Sequence, residues 1–117
     1  MTATATDQYL ITLAVLDYFE GWFDGDVDRM DRALHDDLVK RQAGDELGVT
    51  TKARMLELTA QGAGREDGED PRLDVAIEDL CEDIATVTVR SAVYYEYLHL
   101  VRTTDGWKIA NALWRLR

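Results

Sequence analysis

The sequence predicts an α+β fold, and three observations carry that prediction. Apolar residues recur at helical spacing through the first half of the chain. In the second half they alternate with a period of two. The change falls on one acidic, glycine-rich stretch, GAGREDGEDPR (62–72), which holds the only proline, Pro71. Helices and strands segregated in this way pack as a helical layer on one sheet. The 117 residues predict a single domain, 1–117, large enough to bury roughly two thirds of the unfolded surface around one core.

The first element is a helix over 7–24. Leu10, Ile11, Ala14, Val15, Tyr18, Phe19, Trp22 and Phe23 form its apolar stripe, Thr6 or Asp7 caps its start, and Gly25 ends it. Gly21, inside the helix, costs about 1 kcal/mol relative to alanine and points to close packing or a bend. A short helix follows, capped by Asp26, with Val27, Met30, Ala33 and Leu34 on its buried side. LVKRQAG (38–44) reads as a short strand. TTKARMLELTAQ (50–61) is a third helix, capped by Thr50 or Thr51, with Met55, Leu56 and Leu58 apolar. The 62–72 stretch reads as a solvated loop. Beyond it RLDVAIEDL, DIATVTVRSAV, YYEYLHLVRT and GWKIANALWRLR are strands rich in Val, Ile, Thr, Tyr and Trp, and TTDG (103–106) turns between the last two.

The formal net charge of −10 sets the chain against phosphate backbones and anionic lipid surfaces, so neither nucleic acid nor a membrane is expected as a partner. No run of residues approaches the roughly 18 apolar positions of a membrane span, and MTATATDQ lacks the basic start of a signal peptide. A cytoplasmic location is the expectation. The single cysteine, Cys81, excludes an intrachain disulfide and reads as a buried structural thiol. DGDVD (24–28) invites a calcium-loop reading, but that loop needs glycine sixth and glutamate twelfth, where Arg29 and His35 stand. No metal and no cofactor are expected.

YYEYLHL (94–100) carries Glu96 and His99 on opposite faces of a strand. An even-numbered loop at TTDG puts Tyr94, Glu96, Leu98 and Leu100 on one face with Trp107, Ile109, Asn111 and Leu113. Tyr95, Tyr97, His99 and Val101 then share the other with Ala110, Ala112, Trp114 and Leu116. The first face is apolar enough for the helices to cover. A carboxylate there must be hydrogen-bonded, paired or protonated, which suggests a lined cavity; a rim glutamate paired with Arg41 or Arg90 is the alternative. The second face is aromatic enough to mark an interface, predicted to join two copies of the chain through Tyr95, Tyr97, His99 and Trp114.

VLDYFEGWFDGDVDRMDRALHDDL (15–38), TKARMLELT (51–59) and EYLHLVRTTDGWKIANALW (96–114) together resemble the nuclear transport factor 2-like superfamily, and within it the lumazine-binding branch. The resemblance implies a cone-shaped, cystatin-like fold, with three N-terminal helices on a curved, mostly antiparallel sheet and an apolar pocket between. It also implies dimerisation through the outer sheet face. In ketosteroid isomerase, a member of this superfamily, a helix tyrosine and a strand acid form an oxyanion hole; Tyr18 and Glu96 match those positions. The isomerase's proton-abstracting aspartate would fall near Gln42, which cannot serve as a base; the resemblance leaves its place either to His35 or to no residue.

The predicted ligand set is therefore Tyr18, Trp22, His35, Met55, Glu96, Leu98 and Asn111, around a small apolar or heterocyclic molecule. Catalytic roles would fall to Glu96, His35 and Tyr18. Three functions fit: a small-molecule-binding protein, a cofactor-independent isomerase, dehydratase or cyclase acting on a small carbonyl compound, or a dimeric interaction module.

Overall fold

The computed structural model describes residues 5–117. Within them, α1 (Ala5–Asp24), α2 (Val27–Ala33) and α3 (Lys52–Ala60) pack on one face of a six-stranded sheet. Its strands are β1 (Leu34–Gln42), β2 (Val49–Thr50), β3 (Leu73–Cys81), β4 (Ile84–Ser91), β5 (Tyr94–Thr103) and β6 (Gly106–Leu116), in the order β2-β1-β6-β5-β4-β3. All neighbours are antiparallel except β1 and β6, which run parallel. This is the predicted α+β architecture.

Local chemistry accounts for the helix ends. Asp26 caps α2 by accepting from the Arg29 N–H, and Thr51 caps α3 by accepting from the Arg54 N–H. Gly21 lets α2 approach α1 closely. A Cβ there would stand 3.1 Å from the Met30 nitrogen and 3.2 Å from the Asp26 carbonyl, and the Gly21 carbonyl accepts from the Asp26 N–H. The start of α1 is anchored by Asp7, buried beneath Arg102 and Trp107, both of which donate to it.

The core lies between the helices and the sheet. Ile11, Val15, Phe19, Met30, Leu34, Met55, Val87, Val89, Leu98, Leu100 and Ile109 are its most deeply buried members. Two expected positions differ. Leu34 is buried as predicted but begins β1 rather than ending α2, and β1 runs over 34–42 instead of 38–44. Cys81, expected in the interior, closes β3 and is exposed.

The TTDG hairpin has the expected even loop, with Thr103 opposite Gly106. The ladder, however, skips a residue between His99 and Leu100: Leu100 pairs with Ile109 but His99 pairs with Asn111, leaving Ala110 as a bulge. One extra residue reverses every side chain beyond it. Trp107 and Ile109 therefore face the helices as predicted, while Asn111 and Leu113 turn outward. Ala112 and Trp114, expected outside, turn inward opposite Leu98 and Glu96. Among the described residues, no helix is long and apolar enough to cross a membrane.

Candidate functional site

Six elements, counting β2 through Thr50, converge at one end of the helix–sheet interface. α1 supplies Tyr18, Phe19 and Trp22 from successive turns, and α3 supplies Met55 and Leu58. β5 supplies Tyr94 and Glu96, and β6 supplies Trp114 because of its bulge. β1 supplies Lys40, which faces inward because its register partner Ala112 does. With Thr50 these residues line a cavity of about 90 Å³. That is small beside the roughly 300–1,000 Å³ of pockets for drug-sized ligands.

The cavity's walls are apolar and aromatic, and its polar groups form one chain. The Tyr18 hydroxyl donates to Glu96 Oε1 at 2.8 Å, and Lys40 Nζ donates to the Tyr18 hydroxyl. Lys40 Nζ lies 3.9 Å from Glu96 Oε1, an ion-pair distance too long for a hydrogen bond. The ammonium instead sits over three rings, 4.9 Å from the centre of Tyr18, 5.4 Å from Trp114 and 5.9 Å from Trp22. The Lys40 side chain is 12 % exposed and that of Glu96 3 %.

This burial governs the titration. It raises Glu96 above the ordinary carboxylate value, against the opposing charge of Lys40 and the hydrogen bond from Tyr18. It lowers Lys40 below the ordinary amine value, against the charge of Glu96. Burial and the neighbouring Glu96 push Tyr18 well up, so it remains a neutral donor.

The 62–72 stretch, expected to be a solvated loop, closes one side of this site. Trp22 Nε1 donates to Asp67 Oδ2 at 3.0 Å, and the Tyr94 hydroxyl donates to the same oxygen. Gly64 is buried against Trp22, where an added Cβ would overlap both the indole and the Trp22 carbonyl. Burial and the hydrogen bond to Asp67 raise Tyr94 far above the ordinary phenol range.

The structure thus brings together Tyr18, Trp22, Met55 and Glu96 from the predicted set. Leu98 is fully buried beside them, in the core rather than on the cavity wall. His35 lies elsewhere: β1 begins at Leu34, which places His35 in a polar cleft with Asp31, Asp36, Lys52 and Lys108, and its Nδ1 accepts from the Asp37 N–H. Asn111 is outside the cavity because of the bulge, within 3.4 Å of His99 on the outer face. Gln42 is exposed and does not line the cavity. Tyr95, Tyr97 and His99 do occupy the outer face, but Trp114, expected with them, faces in. Lys40 was not read as a site residue, and neither was Asp67; Arg90, weighed as a partner of Glu96, instead donates to the Tyr95 hydroxyl on the outer face. No group of His, Cys, Asp or Glu suited to a metal occurs among the described residues.

Solved structures similar to this one share its fold. An NTF-2 like protein of unknown function from Silicibacter pomeroyi matches with a TM-score of 0.77 at 18% identity, over 98% of this chain and 100% of that one. A ketosteroid isomerase-like protein from Erwinia carotovora atroseptica matches with a TM-score of 0.64 at 18% identity, over 97% and 98%. A protein described as a putative dehydratase of the NTF2-like family, from Streptomyces avermitilis, matches with a TM-score of 0.65 at 15% identity, over 98% and 99%. At these identities the likeness is one of fold. No curated protein matches in sequence. Residues 6–115 match the model of the family described as Putative lumazine-binding, and the chain belongs to that family.

Proposed function

We propose that the cavity binds a compact, mostly apolar molecule that presents a carbonyl or ring-nitrogen acceptor to the Tyr18–Glu96–Lys40 chain. One observation carries this reading: all three polar groups are buried together on the wall of an otherwise apolar cavity. Such groups orient a ligand, while the rings of Trp22, Tyr94 and Trp114 supply flat contact area. The family description supports a small heterocycle, and the cavity volume favours a guest at the small end of the ligand range. The isomerase, dehydratase or cyclase alternative draws no support from His35, which stands in a different cleft.

The test is binding of single-ring heterocycles and small ketones, followed by calorimetry and by the indole N–H signals of Trp22 and Trp114. Glu96→Gln and Tyr18→Phe are each expected to weaken binding by about tenfold, about 1.4 kcal/mol. Undiminished affinity in both variants would reject the polar chain as the recognition element.

Self-association through the outer face is the accompanying proposal. Tyr97 is 52% exposed, its ladder neighbour Leu113 is 43% exposed, and Tyr95 packs edge-on against Tyr97. An exposed apolar patch of this kind suits a second copy of the sheet. Tyr97→Glu is expected to convert a dimer to a monomer in sedimentation equilibrium at micromolar concentration, with unchanged circular dichroism. Trp114→Glu is expected to perturb the cavity instead. A wild-type monomer would remove this proposal.

A further inference from the structure

Lys40 has a chemical capacity beyond ligand recognition. Among the described residues its amine donates one hydrogen bond, to Tyr18, and its nearest carboxylate oxygen is 3.9 Å away. The other lysines are held differently. Lys52 donates to Asp36 at 3.0 Å, lies 3.1 Å from Asp31 and also bonds the Leu34 carbonyl. Lys108 donates to the Arg32 carbonyl at the surface. Lys40 alone among the three is enclosed by aromatic rings and borders a cavity that can hold a guest.

We infer that Lys40 is a nucleophile that captures small aldehydes or ketones as a Schiff base within the Tyr18–Trp22–Trp114 cavity. The inference rests on the cavity binding reading above and adds a covalent step to it. The aromatic enclosure excludes the water that would stabilise an ammonium, and the Tyr18 hydroxyl, which accepts from Lys40 and donates to Glu96, links the amine to a carboxylate that can receive its proton. The opposite shifts of the two groups, Glu96 upward and Lys40 downward through burial, favour that transfer. Each such transfer exposes a neutral, nucleophilic amine without a proton entering from solvent, while the resting pair keeps the ammonium over the rings.

The step balances without an oxidant or reductant. The amine lone pair forms a C–N bond to the carbonyl carbon as the carbonyl π pair moves to oxygen. That oxygen takes a proton, and the nitrogen gives one up, with Glu96 as the relay. The carbinolamine hydroxyl then leaves as water with a second proton relayed by Glu96, and the nitrogen lone pair closes the C=N bond. The net change is one carbonyl compound plus the Lys40 amine giving one imine plus one water. The Tyr18 hydroxyl, a neutral donor beside the nitrogen, can bond the carbonyl oxygen as charge builds on it.

Butanal with sodium cyanoborohydride tests this on the full chain near pH 7. The reductant fixes any imine as a butylated lysine, and peptide mass mapping then reports the rate at Lys40, Lys52 and Lys108 separately. Lys40 is expected to be modified about tenfold faster than either other lysine, because it alone borders the cavity that holds the aldehyde and its burial favours the neutral amine. Glu96→Gln is expected to slow the Lys40 reaction while leaving the rates at Lys52 and Lys108 unchanged. Equal rates at the three lysines would overturn the inference, as would modification of Lys40 only under unfolding conditions. Butan-1-ol, which fits the same space but forms no imine, separates the two readings. If it shifts the Trp22 and Trp114 indole signals while butanal leaves Lys40 unmodified, the Schiff base fails and the cavity reading survives. If it shifts neither and butanal does not react, both fail.

Discussion

Replacing Glu96 by leucine is expected to cost about 3–5 kcal/mol, because it strands the Lys40 charge in a cavity built around a pair. A domain of this kind has about 5–15 kcal/mol of total stability, so urea unfolding should show a large fall in midpoint. The added change Lys40→Met is expected to recover more than half of that loss. The double variant removes both desolvated charges, and an apolar pair of similar size tolerates burial well. Were the double variant no more stable than Glu96→Leu alone, Lys40 would not be the partner that matters. The pH profile adds a second reading. Glu96 has an ordinary value of 4.5 that burial raises, so above 4.5 the folded chain keeps a proton the unfolded chain releases, and stability falls as pH rises towards the raised value. Lys40 has an ordinary value of 10.5 that burial lowers, so below 10.5 the unfolded chain holds the extra proton, and stability recovers as pH climbs through that window. The wild type minus the double variant should therefore trace a trough at intermediate pH, and a flat difference would contradict the buried pair.

Gly64→Ala is the second substitution with a large expected effect, about 3 kcal/mol, at the upper end of the range for overpacking. The reason is steric: a Cβ at Gly64 would overlap the Trp22 ring and, less avoidably, the Trp22 backbone carbonyl. Trp22 cannot yield without losing its bond to Asp67 and its place beside Lys40. The 62–72 loop should detach from α1, and Trp22 fluorescence should shift towards that of a solvated indole. Gly48→Ala, whose Cβ would meet nothing within 4 Å, is the matched control and should change stability by less than about 0.5 kcal/mol. Equal behaviour of the two variants would mean the loop does not pack as described.

Much of the fold was legible because the period of the apolar pattern changes from 3.6 to 2 at a clear boundary. The inward position of Glu96 was legible from the alternation Glu96–Leu98–Leu100. The errors have local causes. Asn111 and Trp114 were assigned by carrying strict alternation along β6, yet the spacing already breaks: Trp107 and Ile109 are two apart, Ile109 and Ala112 three, Ala112 and Trp114 two. That step of three is the bulge. His35 was placed by extending the apolar pair Ala33–Leu34 as helix; a buried leucine serves equally well as the first residue of a strand. Lys40 was missed because a lysine in a short strand reads as a solvent-facing charge, and only the pairing of β1 with β6 turns it inward. Asp67 was missed because acid and glycine together read as solvated chain, whereas Gly64 and Gly68 are small here to let the loop lie against Trp22 and Phe23.

The parallel pairing of β1 with β6 also bears on the order of assembly. β1 is complete by Gln42, but apart from the two residues of β2 its ladder partner does not begin until Gly106. Closing that gap requires the most sequence-distant contact in the sheet, and such contacts form late because the chain entropy of the intervening segment must be lost first. The β3–β4–β5–β6 meander, linked by adjacent hairpins, can form beforehand. Lys40 would then meet Glu96 and Trp114 only when β1 docks, so the cavity would be among the last features to appear on the folding pathway and the first exposed when β1 peels away.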